Sequence, residues 1–162
     1  MKCPSRVWGV AIGLVIFGFC LWFFCGSDEA KLNERLDDIQ QALSADEHKG
    51  NLGALADAGS LKSFFVPEGV QILLNERRSL RKTPEQIVQM AVMWMQHSGG
   101  CAVDISKRTH AFPEADKAFS KVWVIAQAAG YVTELENGGW VAIGWEKRDG
   151  EWLIVSVRFM EQ

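Results

Sequence analysis

The chain has 162 residues, 48% of them hydrophobic and 23% charged, and a formal charge of −3. Lys2 and Arg6 are the only charges before Asp28, so residues 27–162 hold 15 of the 17 basic and all 20 acidic residues, a net of −5. That acidity excludes nucleic-acid binding, which needs clustered Lys and Arg against phosphate, and the composition excludes a disordered chain or a repeat array.

Residues 7–25 (VWGVAIGLVIFGFCLWFFC) carry no charge. As a helix they span about 28 Å, close to the ~30 Å of a hydrocarbon core. Trp8 and Trp22 suit the two interfaces, and Lys2 and Arg6 before the run set the N-terminus in the cytoplasm. A cleaved signal peptide would have a shorter apolar core ending in small residues. A lipoprotein signal acylated on Cys25 would also need small residues where Phe23 and Phe24 stand. The expectation is an uncleaved anchor in the cell inner membrane, with residues 1–26 forming the cytoplasmic tip and membrane helix. Residues 27–162 are then one periplasmic or other extracytoplasmic domain. Gly9 and Gly13 form a small-xxx-small pair through which two membrane helices can meet.

Of the four cysteines, Cys3, Cys20 and Cys25 precede the domain. Cys101 is alone within it, so the core must hold without an internal disulfide.

Ser27 or Asp28 caps a helix expected over 29–45, with Leu32, Leu36, Ile39 and Leu43 as its apolar stripe. Leu52, Leu55, Ala58 and Leu61 mark a second helix ending near Phe64 and Phe65. Val66-Pro67-Glu68-Gly69 reads as a turn and 70–74 as a short strand. The basic cluster Arg77, Arg78, Arg81 and Lys82 reads as a solvated turn, the alternative being a contact with anionic headgroups or an acidic partner. Thr83-Pro84-Glu85-Gln86 has the form of a capping box, opening a helix through Ile87, Met90, Ala91 and Trp94 that ends at Ser98-Gly99-Gly100. Four strands follow, at about 101–112, 119–128, 140–147 and 152–160, the last two joined by an Asp149-Gly150 hairpin. Helices first and strands later predict an α+β domain, about three helices packed on a curved antiparallel sheet.

Three stretches resemble the nuclear transport factor 2-like superfamily, which includes the ketosteroid isomerase-like and polyketide cyclase-like proteins. They are the leading helices running into Phe64-Phe65-Val66-Pro67-Glu68-Gly69-Val70, the capped helix at Thr83-Pro84-Glu85-Gln86-Ile87, and the ending from Lys147 to Val155. The resemblance covers about residues 29–160. It implies a cone, a bent sheet wrapped round the helices, often with an apolar pocket. The isomerase-like members would place a tyrosine on the first helix. The single tyrosine here, Tyr131, falls in an expected turn.

Other chemistry is thin. His48, His97 and His110 lack metal-ligand spacing, so no metal or cofactor is expected. Asp104, Ser106 and His110 share a face if their strand is regular, which makes Asp104 and His110 the weak candidates for a catalytic base. Trp94, Trp123, Trp140, Trp145 and Trp152 are candidates for a ligand pocket or an interface. Trp140 and Trp145 have opposite parity, so at least one of them lies on the outer sheet face. The resulting expectation is a non-catalytic, membrane-anchored accessory or assembly subunit of a membrane complex. Related architectures occur in inner-membrane components of bacterial secretion machines. Its partners would be membrane lipid and other membrane subunits, or a second copy. The alternatives are a small apolar-ligand binder and an isomerase- or cyclase-like enzyme.

Overall fold

The computed structural model describes residues 27–44, 59–75, 78–97, 101–128 and 135–160. The chain divides into two compact units between Leu32 and Asn33, a boundary that falls within helix α1 (Asp28–Leu43). The second unit, Asn33–Gln162, holds the whole sheet. Among the described residues no helix is long and apolar enough to cross a membrane. The apolar run 7–25, with Gly9 and Gly13, lies outside them, as do His48 and Tyr131.

A 3-10 turn (Lys62–Phe64) leads to β1 (Val70–Asn75) and β2 (Arg78–Lys82). Helix α2 (Pro84–His97) follows, then β3 (Cys101–Glu114), β4 (Lys117–Ala128), β5 (Gly139–Arg148) and β6 (Glu151–Phe159). One six-stranded sheet runs β2-β1-β6-β5-β4-β3. Its pairs are antiparallel except β1 with β6, which is parallel. This is the expected α+β class, with one correction to the expected antiparallel sheet: β1 joins β6 in parallel, because the chain crosses from one end of the sheet to the other between them.

The local signals that formed are those with a mechanism. The Thr83 amide donates to the Gln86 side-chain oxygen at 3.1 Å, and the Gln86 amide donates to Thr83 Oγ1 at 3.4 Å, a reciprocal capping box. Asp149 and Gly150 both take positive φ, 53° and 87°, as a two-residue turn matched to strand twist requires.

The basic cluster corrects the expectation of a solvated turn. Arg78–Lys82 is an edge strand whose Lys82 opposes Val70 and whose Leu80 opposes Ile72. Charge on an edge strand discourages sheet-to-sheet pairing, so a basic run and a strand are compatible there. Arg77 lies outside the described residues.

The opposite edge, β3, is closed by α1. The Val103 amide donates to Ser44 Oγ at 3.1 Å, and Ser44 Oγ donates to the Val103 carbonyl at 3.3 Å. The Ile105 amide donates to Gln40 Oε1 at 2.7 Å. The Arg108 guanidinium donates to the Ile105 carbonyl at 3.0 and 3.1 Å. Backbone groups that would face water or a second sheet are thereby satisfied by side chains. The core lies between this helix and the sheet, with Leu36, Val103, Val122, Trp145, Trp152 and Ile154 buried.

Candidate functional site

The site depends on a break in β3. Cys101, Val103 and Ile105 are buried, and they face inward with Ala126 and Val122 of β4. Ser106 opposes Trp123 but Thr109 opposes Lys121, so one extra residue is looped out between them. Lys107 sits in this bulge with φ 48°, uncommon for a side-chain-bearing residue. The bulge reverses parity. Asp104, opposite Ile125, is exposed on the outer face, whereas His110, opposite Ser120, turns inward. This corrects the expectation for a regular strand: Asp104 and His110 are on opposite faces.

His110 enters a chain of side-chain hydrogen bonds. Its Nδ1 lies 2.7 Å from Ser120 Oγ and its Nε2 lies 3.2 Å from Asn33 Oδ1. Trp145 Nε1 donates to the same Ser120 Oγ at 2.8 Å. Ser120 and Trp145 are each 1% exposed. With Asn33 Oδ1 as the acceptor, a neutral ring carries its proton on Nε2, and Ser120 donates to Nδ1. A protonated ring is equally served, because Ser120 Oγ can accept from both Trp145 and His110. The cluster therefore fixes the ring plane in either charge state. Asn33 supplies a dipole at Nε2 where a carboxylate would supply a charge.

The charges nearby are already matched. Arg108 pairs with Asp37 at 2.6 Å and donates to the Asn33 carbonyl at 3.2 Å. Arg35 pairs with Glu151 and lies 5.3 Å from the centre of the Phe64 ring. At the β5–β6 hairpin Arg148 bridges Glu146 and Glu68. Its hydrogen bond holds the Glu68 carboxyl below its usual range, and the two carboxylates raise Arg148 itself.

The tryptophans divide as their parity requires. Trp145 and Trp152 are buried, and Trp152 meets Phe112 edge-on at 6.0 Å. Trp123 and Trp140 oppose each other on the outer face with ring centres 5.3 Å apart. Lys107 and Lys121 lie over them at 4.9 and 4.5 Å. Trp94 is half-buried on α2, and His97 ends that helix. Among the described residues no cluster of His, Cys, Asp and Glu could hold a metal ion.

Asn33 and Ser120 were not singled out from the sequence. Ser120 carried a usable signal, a polar residue in inward register between Ala118 and Val122. Asn33 carried none beyond lying next to the apolar stripe of α1. Away from this cluster, Gly59, Lys62, Glu85, Val88, Gln89 and Val92 line an open groove of about 330 Å³ with apolar walls, beside the Lys62–Glu85 ion pair at 2.6 Å.

No protein-family model and no curated protein matches the chain. Solved structures do. The chain is similar to LinA (15% identity, 83% of this chain and 85% of that one, TM-score 0.59). It is also similar to a putative scytalone dehydratase from Novosphingobium aromaticivorans (14%, 83% and 84%, TM-score 0.57). An uncharacterized Caulobacter vibrioides protein with a cystatin-like fold is similar as well (15%, 84% and 92%, TM-score 0.61). At these identities the likeness is one of fold, and the fold is the nuclear transport factor 2-like, cystatin-like cone.

Proposed function

We propose that this chain is a membrane-tethered binding protein for a small, largely apolar molecule. Its ligand would meet the inner sheet face at the His110–Asn33 pair. The observation that carries the reading is the His110–Ser120–Trp145–Asn33 cluster. Among the described residues Ser120 is the one buried polar side chain, and it serves to orient His110. A fixed imidazole and an amide together offer a recognition point for a hydroxyl or carbonyl, the kind of polar group that orients a small molecule. Proton abstraction is the weaker reading. Both ring nitrogens are held by protein groups, and Asp104 lies on the other face. The likeness to a putative scytalone dehydratase agrees with a small-molecule site in such a cone. The run 7–25 would hold the domain to the inner membrane on its extracytoplasmic side.

The test is equilibrium binding of apolar compounds bearing one carbonyl or hydroxyl to the full chain in mild detergent. His110→Phe and Asn33→Ala should each weaken binding about tenfold, the effect of one lost buried hydrogen bond, and Asp104→Asn should leave it unchanged. Weakening by Asp104→Asn alone would reverse the assignment.

A second reading rests on the outer face, which carries Phe119, 55% exposed, and the Trp123–Trp140 pair. Such a face suits an accessory or assembly subunit of a membrane complex. Mass spectrometry of proteins that co-purify in detergent tests it, and a protein that runs alone as a monomer rejects it.

A further inference from the structure

The outer sheet face segregates charge. Lys121 stands opposite Ala142, and Ala142 opposite Arg158, so one row across β4, β5 and β6 holds both cations on the same face. Two strand spacings, about 10 Å, separate them. Trp123 opposite Trp140 forms the next row on one side, and Phe119 opposite Gly144 the next row on the other. Lys107 joins this face from the β3 bulge, since its ammonium lies over the Trp123 ring. Lys107, Lys121 and Arg158 are all exposed, and among the described residues none of the three is paired with a carboxylate. By contrast Arg108, Lys117 and Arg148, on β3, β4 and β5, have Asp37, Glu114 and Glu146. Asp104 shares the outer face one row beyond the tryptophans, opposite Ile125, and makes no ion pair with the three cations. In residues 27–162, with their net of −5, this is a local excess of positive charge.

We infer that this face binds an acidic segment of a partner protein, its carboxylates meeting Lys107, Lys121 and Arg158 and its apolar side chains meeting Phe119, Trp123 and Trp140. The inference rests on the outer-face reading above and names the chemistry of the partner. Charge decides the occupant. A second copy meeting through the same face would set this positive surface against itself, whereas carboxylates complement it. Trp123 and Trp140 are half-buried beneath exposed lysines, too low to enter an acyl layer, which disfavours a bilayer. The lysines also couple charge to apolar contact. Lys107 and Lys121 rest on indole rings at 4.9 and 4.5 Å, a weak hold at exposed sites. A carboxylate draws each ammonium off its ring and uncovers that ring for an apolar side chain.

The test is NMR of the indole N–H groups in the full chain, in neutral detergent, titrated with alternating Glu-Leu, Gln-Leu and Lys-Leu peptides. The Glu-Leu peptide should shift Trp123 and Trp140. It should bind about tenfold more tightly than the Gln-Leu peptide, a margin lost in high salt. Lys121→Glu/Arg158→Glu should transfer the preference to the Lys-Leu peptide, which a folding defect cannot do. Equal binding of the Glu-Leu and Gln-Leu peptides overturns the acidic partner while leaving an outer-face contact. Outer-face shifts that follow chain concentration without peptide overturn it in favour of a second copy. Shifts produced by phosphatidylglycerol vesicles and by no peptide overturn it in favour of lipid. Silence of both indoles in every titration overturns the outer-face reading as well.

Discussion

The two ends of the sheet treat their polar and apolar groups in opposite ways. At the β3 end, Ser44, Gln40 and Arg108 occupy the free backbone groups of the edge strand. Behind them, His110 and Trp145 converge on a serine that is 1% exposed. At the β2 end, the edge strand faces outward with arginines and leucine, and the following helix exposes methionine. A polar group buried without a partner costs about 1–3 kcal/mol, so a fully satisfied cluster is specified side chain by side chain. Exposed apolar groups carry no such local requirement. The first end is a built interior cluster, and the second is an exposed surface.

The largest effect expected on this contrast is that of Trp145→Ala. It empties the interior beneath the site and removes one donor to Ser120, at a cost of about 3–5 kcal/mol in urea unfolding. Ser120→Ala tests the cluster more narrowly. It leaves His110 Nδ1 and the buried Trp145 N–H without their shared oxygen, at about 1–3 kcal/mol. Gln40→Ala should cost about 1 kcal/mol by removing the acceptor for the Ile105 amide, and exchange at that amide should quicken. At the other end, Met90→Ser/Met93→Ser should change stability by less than about 0.5 kcal/mol, as at exposed positions generally. A large loss there would show that α2 is covered by its own chain and would erase the contrast.

The smallest effect concerns pH. Arg148 lowers the folded-state pKa of the exposed Glu68, and Lys62 does the same for Glu85. A depressed carboxyl contributes stability above its unfolded pKa, near 4.5, and loses that contribution as pH falls through the lower folded value. Glu68→Gln should therefore make unfolding midpoints less pH-dependent below about 4.5, with little change near neutrality.

Much of the fold was legible because its signals were local and mechanistic. Thr83 and Gln86 made the cap they spelled out, Asp149-Gly150 made the hairpin, and the opposite parity of Trp140 and Trp145 separated the outer pair from the core. Strand β2 was not legible, because alternation is weak in a charged run on a sheet edge and its pairing with Val70–Leu73 is a tertiary fact. The site was half legible. His110 was in view, but the bulge at Lys107 reverses parity without a glycine to announce it, so Asp104 was grouped with a histidine on the other face. Asn33 meets His110 from 77 residues away, a contact no local pattern encodes.

Whether an apolar ligand meets His110 and Asn33 on the inner face is decided by nitrogen-15 NMR of the histidine rings in the detergent-solubilised chain. Where the ring is neutral, the His110 proton should sit on Nε2, toward Asn33 Oδ1. A bound carbonyl or hydroxyl compound should shift the His110 ring and the Trp145 indole N–H together, while the outer-face Trp123 and Trp140 indoles stay in place. Binding that moves the outer-face indoles and leaves His110 and Trp145 unshifted would place the ligand on the wrong side of the sheet and refute the inner-face site.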